Sequence, residues 1–304
     1  MVGSLTAIDL SQLPQPSVVE QIDYEIILKN GLDEFHQKMT DLGIDYPRLI
    51  ESDPAYKLAE VFAYRETLLR QRANQSALAV LLAYAEKSDL DHKAAEKNLT
   101  RKVITPADNT TIPPTPAIME SDPALRQRVQ LAPEGYTTAG SEGSYIFHTK
   151  NADVRIKDVE PASPSEGVAA IYILSTEGNG TASEELITIV DQALNKKIIR
   201  PLTDHVHIYS ASIIQYRVEA VLEIADGPDK NIVLKQAFDK VKAYTDAVHK
   251  LNAKVSLTGV IGALQRDGVV DIDIVEPLAK IEPVSGQAAY CTEIKLTIKE
   301  EADV

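Results

Sequence analysis

The chain has 304 residues, 44% hydrophobic and 25% charged, and its 45 Asp and Glu against 31 Lys and Arg leave a net charge of -14. A chain of this length buries about 75% of its unfolded surface and usually forms more than one domain, and nothing in the composition suggests collagen, coiled coil or wholesale disorder. The acidity repels phosphate and no Lys/Arg cluster reverses the sign locally, which speaks against nucleic acid and anionic membranes as partners.

The N-terminal residues Met1–Leu5 lack the basic and apolar regions of a signal peptide, and the nearly apolar run Ala77–Ala85 falls far short of the roughly 20 residues a bilayer span requires. Cys291 is the single cysteine, so no intrachain disulfide forms and a reducing compartment is expected. Residues 1–17, with Pro14 and Pro16, form an extended arm. A helical region, 18–104, follows. Val18–Lys38 carries Ile22, Ile26, Leu32 and Phe35, with Asn30–Gly31 as a break or cap. Asp53 and Pro54 then open a long helix that runs without Gly or Pro to about Glu86, its apolar face bearing Leu58, Phe62, Leu69, Ala73 and Val80. Residues 105–167 are read as a hinge and middle domain, the hinge being Thr105–Pro116 with Pro106, Pro113, Pro114 and Pro116. The words Glu51–Ala55 and Glu120–Ala124 are identical, a repeated cap rather than a repeated domain.

From Gly167 the pattern changes, and 168–304 reads as an α+β region. Strands are expected at Val168–Leu174, His205–Ser210, Ile213–Ile224, Val269–Val275 and Thr292–Lys299. Helices are expected at Thr181–Ile198, with Thr181 and Glu184 as a capping box, at Lys230–Lys250 after the Asp226–Pro228 turn, and near Leu257–Gln265. This order is that of a split βαβ sandwich, so the fold class is α+β.

His205 and His207 share one face of a strand and two imidazoles can share a cation, but a third ligand is missing and two solvated histidines explain them better. Asp271 and Asp273 pair in the same way on a strand whose other face carries Val270, Ile272 and Ile274. These residues support the alternative of a metal-dependent enzyme. The glycine run Gly135–Gly143 has Ser141 where a phosphate loop needs Lys, and Gly178–Gly180 is followed by Glu184 and Glu185, which repel an anion. Nothing near Cys291 lowers its pKa. No active site, metal or cofactor is expected.

Particular stretches, taken in order, resemble the baseplate J-like family of contractile-tailed phages. They are Leu10–Pro14 with Val18–Glu20, Ala63–Glu66 with Leu69–Arg72 and Asn74, and Leu82–Ala85 with Asp89–Asp91. Further words are Glu120–Asp122, Leu131–Gly135, Ala139–Gly140, Tyr145 with Phe147–His148, Leu174–Ser175 with Glu177–Gly178, and Arg200–Asp204. The likeness runs to about Asp229 and is looser beyond; where the family usually has Gly after Leu82–Ala85, this chain has Glu86–Ser88. The resemblance implies a structural, non-enzymatic wedge component of a phage tail or tail-like injection particle. It implies assembly in the bacterial cytoplasm with a second copy and other wedge proteins, around a central hub.

A helix reaching from Pro54 to Glu86 extends for about 45–50 Å, longer than a domain of about 100 residues covers. Either Val18–Lys38 folds back over its apolar surface, or that surface meets another chain. The resemblance favours the second, with Leu58, Phe62, Arg65, Leu69 and Arg72 at the interface, Val61, Leu68 and Leu82 widening it, and the two arginines pairing with carboxylates across a helical bundle.

Overall fold

The computed structural model describes residues 8–45, 47, 49–137, 140–196, 199–225, 227 and 229–299. Met1–Leu5, Ala139, Ile198, Asp226 and Pro228 lie outside them. The chain divides into two compact units, one of residues up to Arg101 with Met119–Val129, the other of Lys102–Ile118 with Gln130 onward.

In the first unit the arm is not fully extended, since Leu10–Gln12 makes a 3₁₀ turn. Helix α1, Tyr24–Asp41, starts six residues later than the apolar spacing suggests. Both backbone groups of Glu20 are taken by the Asn74 side chain, at 3.0 and 2.8 Å, and Asp23 caps the helix by accepting from the Glu25 and Ile26 N–H groups. The helix passes through Asn30–Gly31 unbroken; open space surrounds Gly31, so it carries only a propensity cost of about 1 kcal/mol.

Helix α2, Pro54–Ala79, has Pro in its first turn as expected, but Asp53 accepts from Ile50 N–H (3.0 Å) instead of from the helix. It ends seven residues before Glu86. The reason is Arg126, whose guanidinium takes the carbonyls of Leu82 and Ala85 at 2.8 and 2.7 Å and holds the chain in turns. Helix α3, Lys87–Ala95, then begins with Lys87 N–H donating to Asp122 (3.0 Å). Asp122 opens α4, Asp122–Leu131, so the second copy of the repeated word also starts a helix. Leu90, Ala94, Leu125 and Val129 pack here out of water. Arg101 bridges Asp91 (2.8 Å), Asp122 (2.7 Å) and the Glu120 carbonyl (2.6 Å), while Arg128 pairs with Glu120 at 2.5 Å with both side chains buried.

The second unit contains a short ladder of β1, Val103–Thr105, and β2, Ile118–Met119. Between them, in the proline-rich segment, Asp108 and Thr115 exchange two backbone bonds of 2.9 Å. Helix α5, Glu142–Ala152, is capped by Ser141. Strands β3, Ile156–Ser165, and β4, Val168–Ser175, form a hairpin, so the change of pattern at Gly167 marks a turn inside one sheet. Helix α6, Glu184–Leu194, crosses from β4 to a parallel β5, His205–Ser210. Ser183 caps α6, accepting from Leu186 N–H at 3.3 Å; Thr181 is held by Asn179 instead, so the expected capping box is displaced.

A second sheet has order β7-β6-β8, with β6, Ser212–Ile224, antiparallel to β7, Val269–Glu276, and parallel to β8, Gln287–Ile298. Helices α7, Lys230–Val248, and α8, Leu257–Leu264, cover it over a core of Val218, Leu222, Val241 and Val260. The architecture is α+β. The split βαβ order resolves, however, into two separate three-stranded sheets, because β5 and β6 never pair. Ala211 alone separates them: its N–H donates to Ile173 in the first sheet (2.8 Å), and Ser212 N–H to Gly286 beside the second (2.9 Å).

Leu174, Ala211, Leu251 and Ala288 are buried together at this joint, and Asp158 and Glu160 of β3 accept from the N–H groups of Leu251 (3.0 Å) and Gly286 (2.9 Å). Gly180 has φ +98°, and a Cβ there would lie 2.6 Å from Leu174 Cδ1 and 2.8 Å from His249 Nε2. His249 is buried, with its ring edge-on to Tyr290 at 5.2 Å. Burial, helped by Lys157, lowers its pKa against the opposing pull of Asp246 and the Asn179 carbonyl.

Because folded His249 takes a proton less readily than the unfolded chain, its contribution is complete above an imidazole's ordinary value of about 6.5 and is lost as the pH falls below it. The urea midpoint should drop between pH 7 and 5.5, and His249→Phe should flatten that drop; His148, also lowered by burial, leaves a residual slope. In the first unit, Arg128→Met should cost about 3–5 kcal/mol by urea unfolding, since Glu120 then stays buried without its cation, and adding Glu120→Gln should recover part of the loss.

Candidate partner-binding face of the long helix

Helix α2 has 26 residues, about 39 Å at 1.5 Å per residue, and buries only Ala63. Helix α1 packs against the Ala63 side, where Leu28, Leu32 and Phe35 line a cavity that reaches Tyr56. At about 100° per residue, Leu58, Val61, Phe62, Leu68 and Leu69 fall in an arc of about 120° nearly opposite Ala63. They are 45–71% exposed. The preceding helix therefore does not fold back over them. Leu82 stands apart, half-buried in the turns after α2.

Arg65 and Arg72 lie near the middle of this arc, both exposed, and neither guanidinium makes an ion pair or hydrogen bond among the described residues. The other charges of α2 are occupied. Lys57 holds Glu60 at 3.0 Å, and Arg70 holds Glu66 at 2.7 Å and Glu20, before α1, at 2.8 Å. Tyr24, Val61, Tyr64, Arg65 and Leu68, with Glu60, line an open groove of about 450 Å³ along the same helix. These side chains form an apolar strip along an otherwise hydrated helix.

The remaining sequence candidates stay apart. His205 and His207 share the exposed face of β5 while Val206 is buried between them. Asp271 and Asp273 share the exposed face of β7; a shift in register beside Ile224 buries Val269 in place of Val270. Among the described residues no three His, Cys, Asp or Glu side chains come together as a metal would need, and no helix is long and apolar enough to cross a membrane. Gly135 packs on Phe147 and Gly143 on Glu134, so both serve packing. Burial raises the Cys291 pKa.

Two features escape a reading of the sequence. One is the hold on the segment before α1, through Asn74 and Arg70 of α2 on Glu20 and through Tyr84 Oη, in the turns after α2, donating to the Leu13 carbonyl (3.1 Å). The other is the set of arginines, Arg101, Arg126 and Arg128, that ties the ends of α2 and α3 to α4. Both join residues tens of positions apart with no periodic signal.

The chain belongs to the baseplate J-like family. Residues 51–108, which include α2 and α3, match the Baseplate J-like N-terminal domain. Over 292 residues, 95% of this chain and 97% of the relative, it is 43% identical to Baseplate protein J of Escherichia phage P2.

If the face is free in the isolated chain, Leu58→Asp with Leu69→Asp should change its unfolding free energy by no more than about 0.5 kcal/mol for each substitution. Leu28→Asp, on the buried side of α1, should cost about 3 kcal/mol or more in the same denaturant titration.

Proposed function

We propose that the chain is a structural component of the baseplate of a contractile phage tail or tail-like injection particle. It acts by binding rather than by catalysis, as a wedge part required for baseplate assembly. The observation that carries this reading is α2, whose large apolar side chains point away from the side that its own unit covers. Family membership supports it, since the relative in phage P2 is named a baseplate protein. In this reading 1–17 is an arm and 18–104 belongs to the wedge bundle. The partners are a second copy of the chain and other wedge proteins, with the hub reached through the wedge; assembly takes place in the host cytoplasm.

The test is assembly itself. Particles made with Leu58→Asp/Leu69→Asp should lack baseplates, and the variant should no longer co-purify with wedge proteins although its circular dichroism matches the wild type. Normal particles would show that α2 is not an assembly surface.

A further inference from the structure

Helix α2 carries four cations and two acids, Lys57, Arg65, Arg70 and Arg72 against Glu60 and Glu66, in a chain whose net charge is -14. Both acids are engaged by neighbours on their own helix, so the charge left over is that of Arg65 and Arg72. They sit among Leu58, Val61, Phe62, Leu68 and Leu69, all well exposed. A partner that covers these apolar side chains also takes water from the guanidiniums. Burial of an unpaired cation is strongly disfavoured, and a carboxylate, unlike a carbonyl, also neutralises the charge, so carboxylates on the partner fit this place best.

We propose that the outward face of α2 receives an apolar helix from a different chain, bearing two carboxylates seven residues apart opposite Arg65 and Arg72. This rests on the reading of α2 as an assembly surface. The same face of a second copy fits poorly, because two such faces together bring four guanidiniums onto one seam with no free acid. A lipid surface fits poorly too. Helices lying on membranes keep their cations on the polar face, whereas these two lie in the middle of the apolar one. Seven residues make two turns, about 10.5 Å, so a helix crossing at about 20° meets both arginines with positions of the same spacing. Such carboxylates form the forked, two-bond contacts that guanidinium favours.

The test uses the full chain and two synthetic helical peptides with the same leucine stripe, one with Glu and the other with Lys at two stripe positions seven apart. By fluorescence anisotropy the wild type should bind the Glu peptide at least about tenfold more tightly than the Lys peptide, and Arg65→Glu/Arg72→Glu should reverse the order. Equal binding, binding of neither peptide, or an order unchanged by the charge reversal would overturn the proposal. Assembly separates this failure from that of the underlying reading. If Leu58→Asp/Leu69→Asp blocks baseplates but Arg65→Glu/Arg72→Glu does not, the surface stands and the acidic helix falls; if both variants assemble, both fall. Dimers of the wild type that Leu58→Asp/Leu69→Asp dissociates in sedimentation would assign the face to a second copy and likewise refute the proposal.

Discussion

The first unit is organised by arginines that donate to backbone carbonyls. Arg126 takes the carbonyls just beyond α2, Arg101 those of Lys87 and Glu120, and Arg128 that of Thr100. These charged donors hold the turns between α2 and α3 and fasten both helices to α4. They also let α2 do without much burial of its own. A helix in a globular protein is usually held by an apolar face against a core; here the anchor is at its C-terminal end, with Arg70 and Asn74 holding Glu20 beside it. The opposite face is left exposed.

The second unit solves a different problem. Its chain leaves one sheet and enters the next through the single residue Ala211, so no flexible segment separates the strands there. The two sheets are locked by polar bonds that cross the joint, Asp158 to Leu251 and Glu160 to Gly286, and by a packing at Gly180 that leaves no room for a side chain. One sheet thus follows the orientation of the other. Exposed histidines and aspartates on β5 and β7 sit on the outer faces of these sheets, where nothing gathers them into a site.

Much of this was legible because periodicity survives where a single face is buried. The stripe Val233, Ala237 and Val241 of α7 is buried as its spacing implies, and β4 to β7 lie close to their expected positions, while β8 begins at Gln287 rather than Thr292. The exposed stripe of α2 was equally visible, since an apolar face looks the same whether its cover belongs to the same chain or to another. What was hidden depends on partners distant in sequence. Strand β3 contains Pro161 and Pro164, which argue against a strand until the sheet order shows β3 at an edge. Helix α5 shows no stripe because Tyr145, Phe147 and the residues beside them are buried on several sides. The premature end of α2 is set by Arg126, 41 to 44 positions away, and strand pairing across Ala211 has no local signature at all.

The first unit is interrupted: Lys102–Ile118 belongs to the second, and the chain returns only at Met119–Val129. As the polypeptide leaves the ribosome, the arginines of α4 emerge last among the groups that fasten this unit. The 28 residues from Arg101 to Val129 take roughly 1 to 6 s at about 5–20 residues per second. During that interval the C-terminal end of α2 is without its lock, and its exposed leucines are open to premature company. Slow codons between Arg101 and Val129 lengthen that wait and should raise the share of chain lost to aggregation.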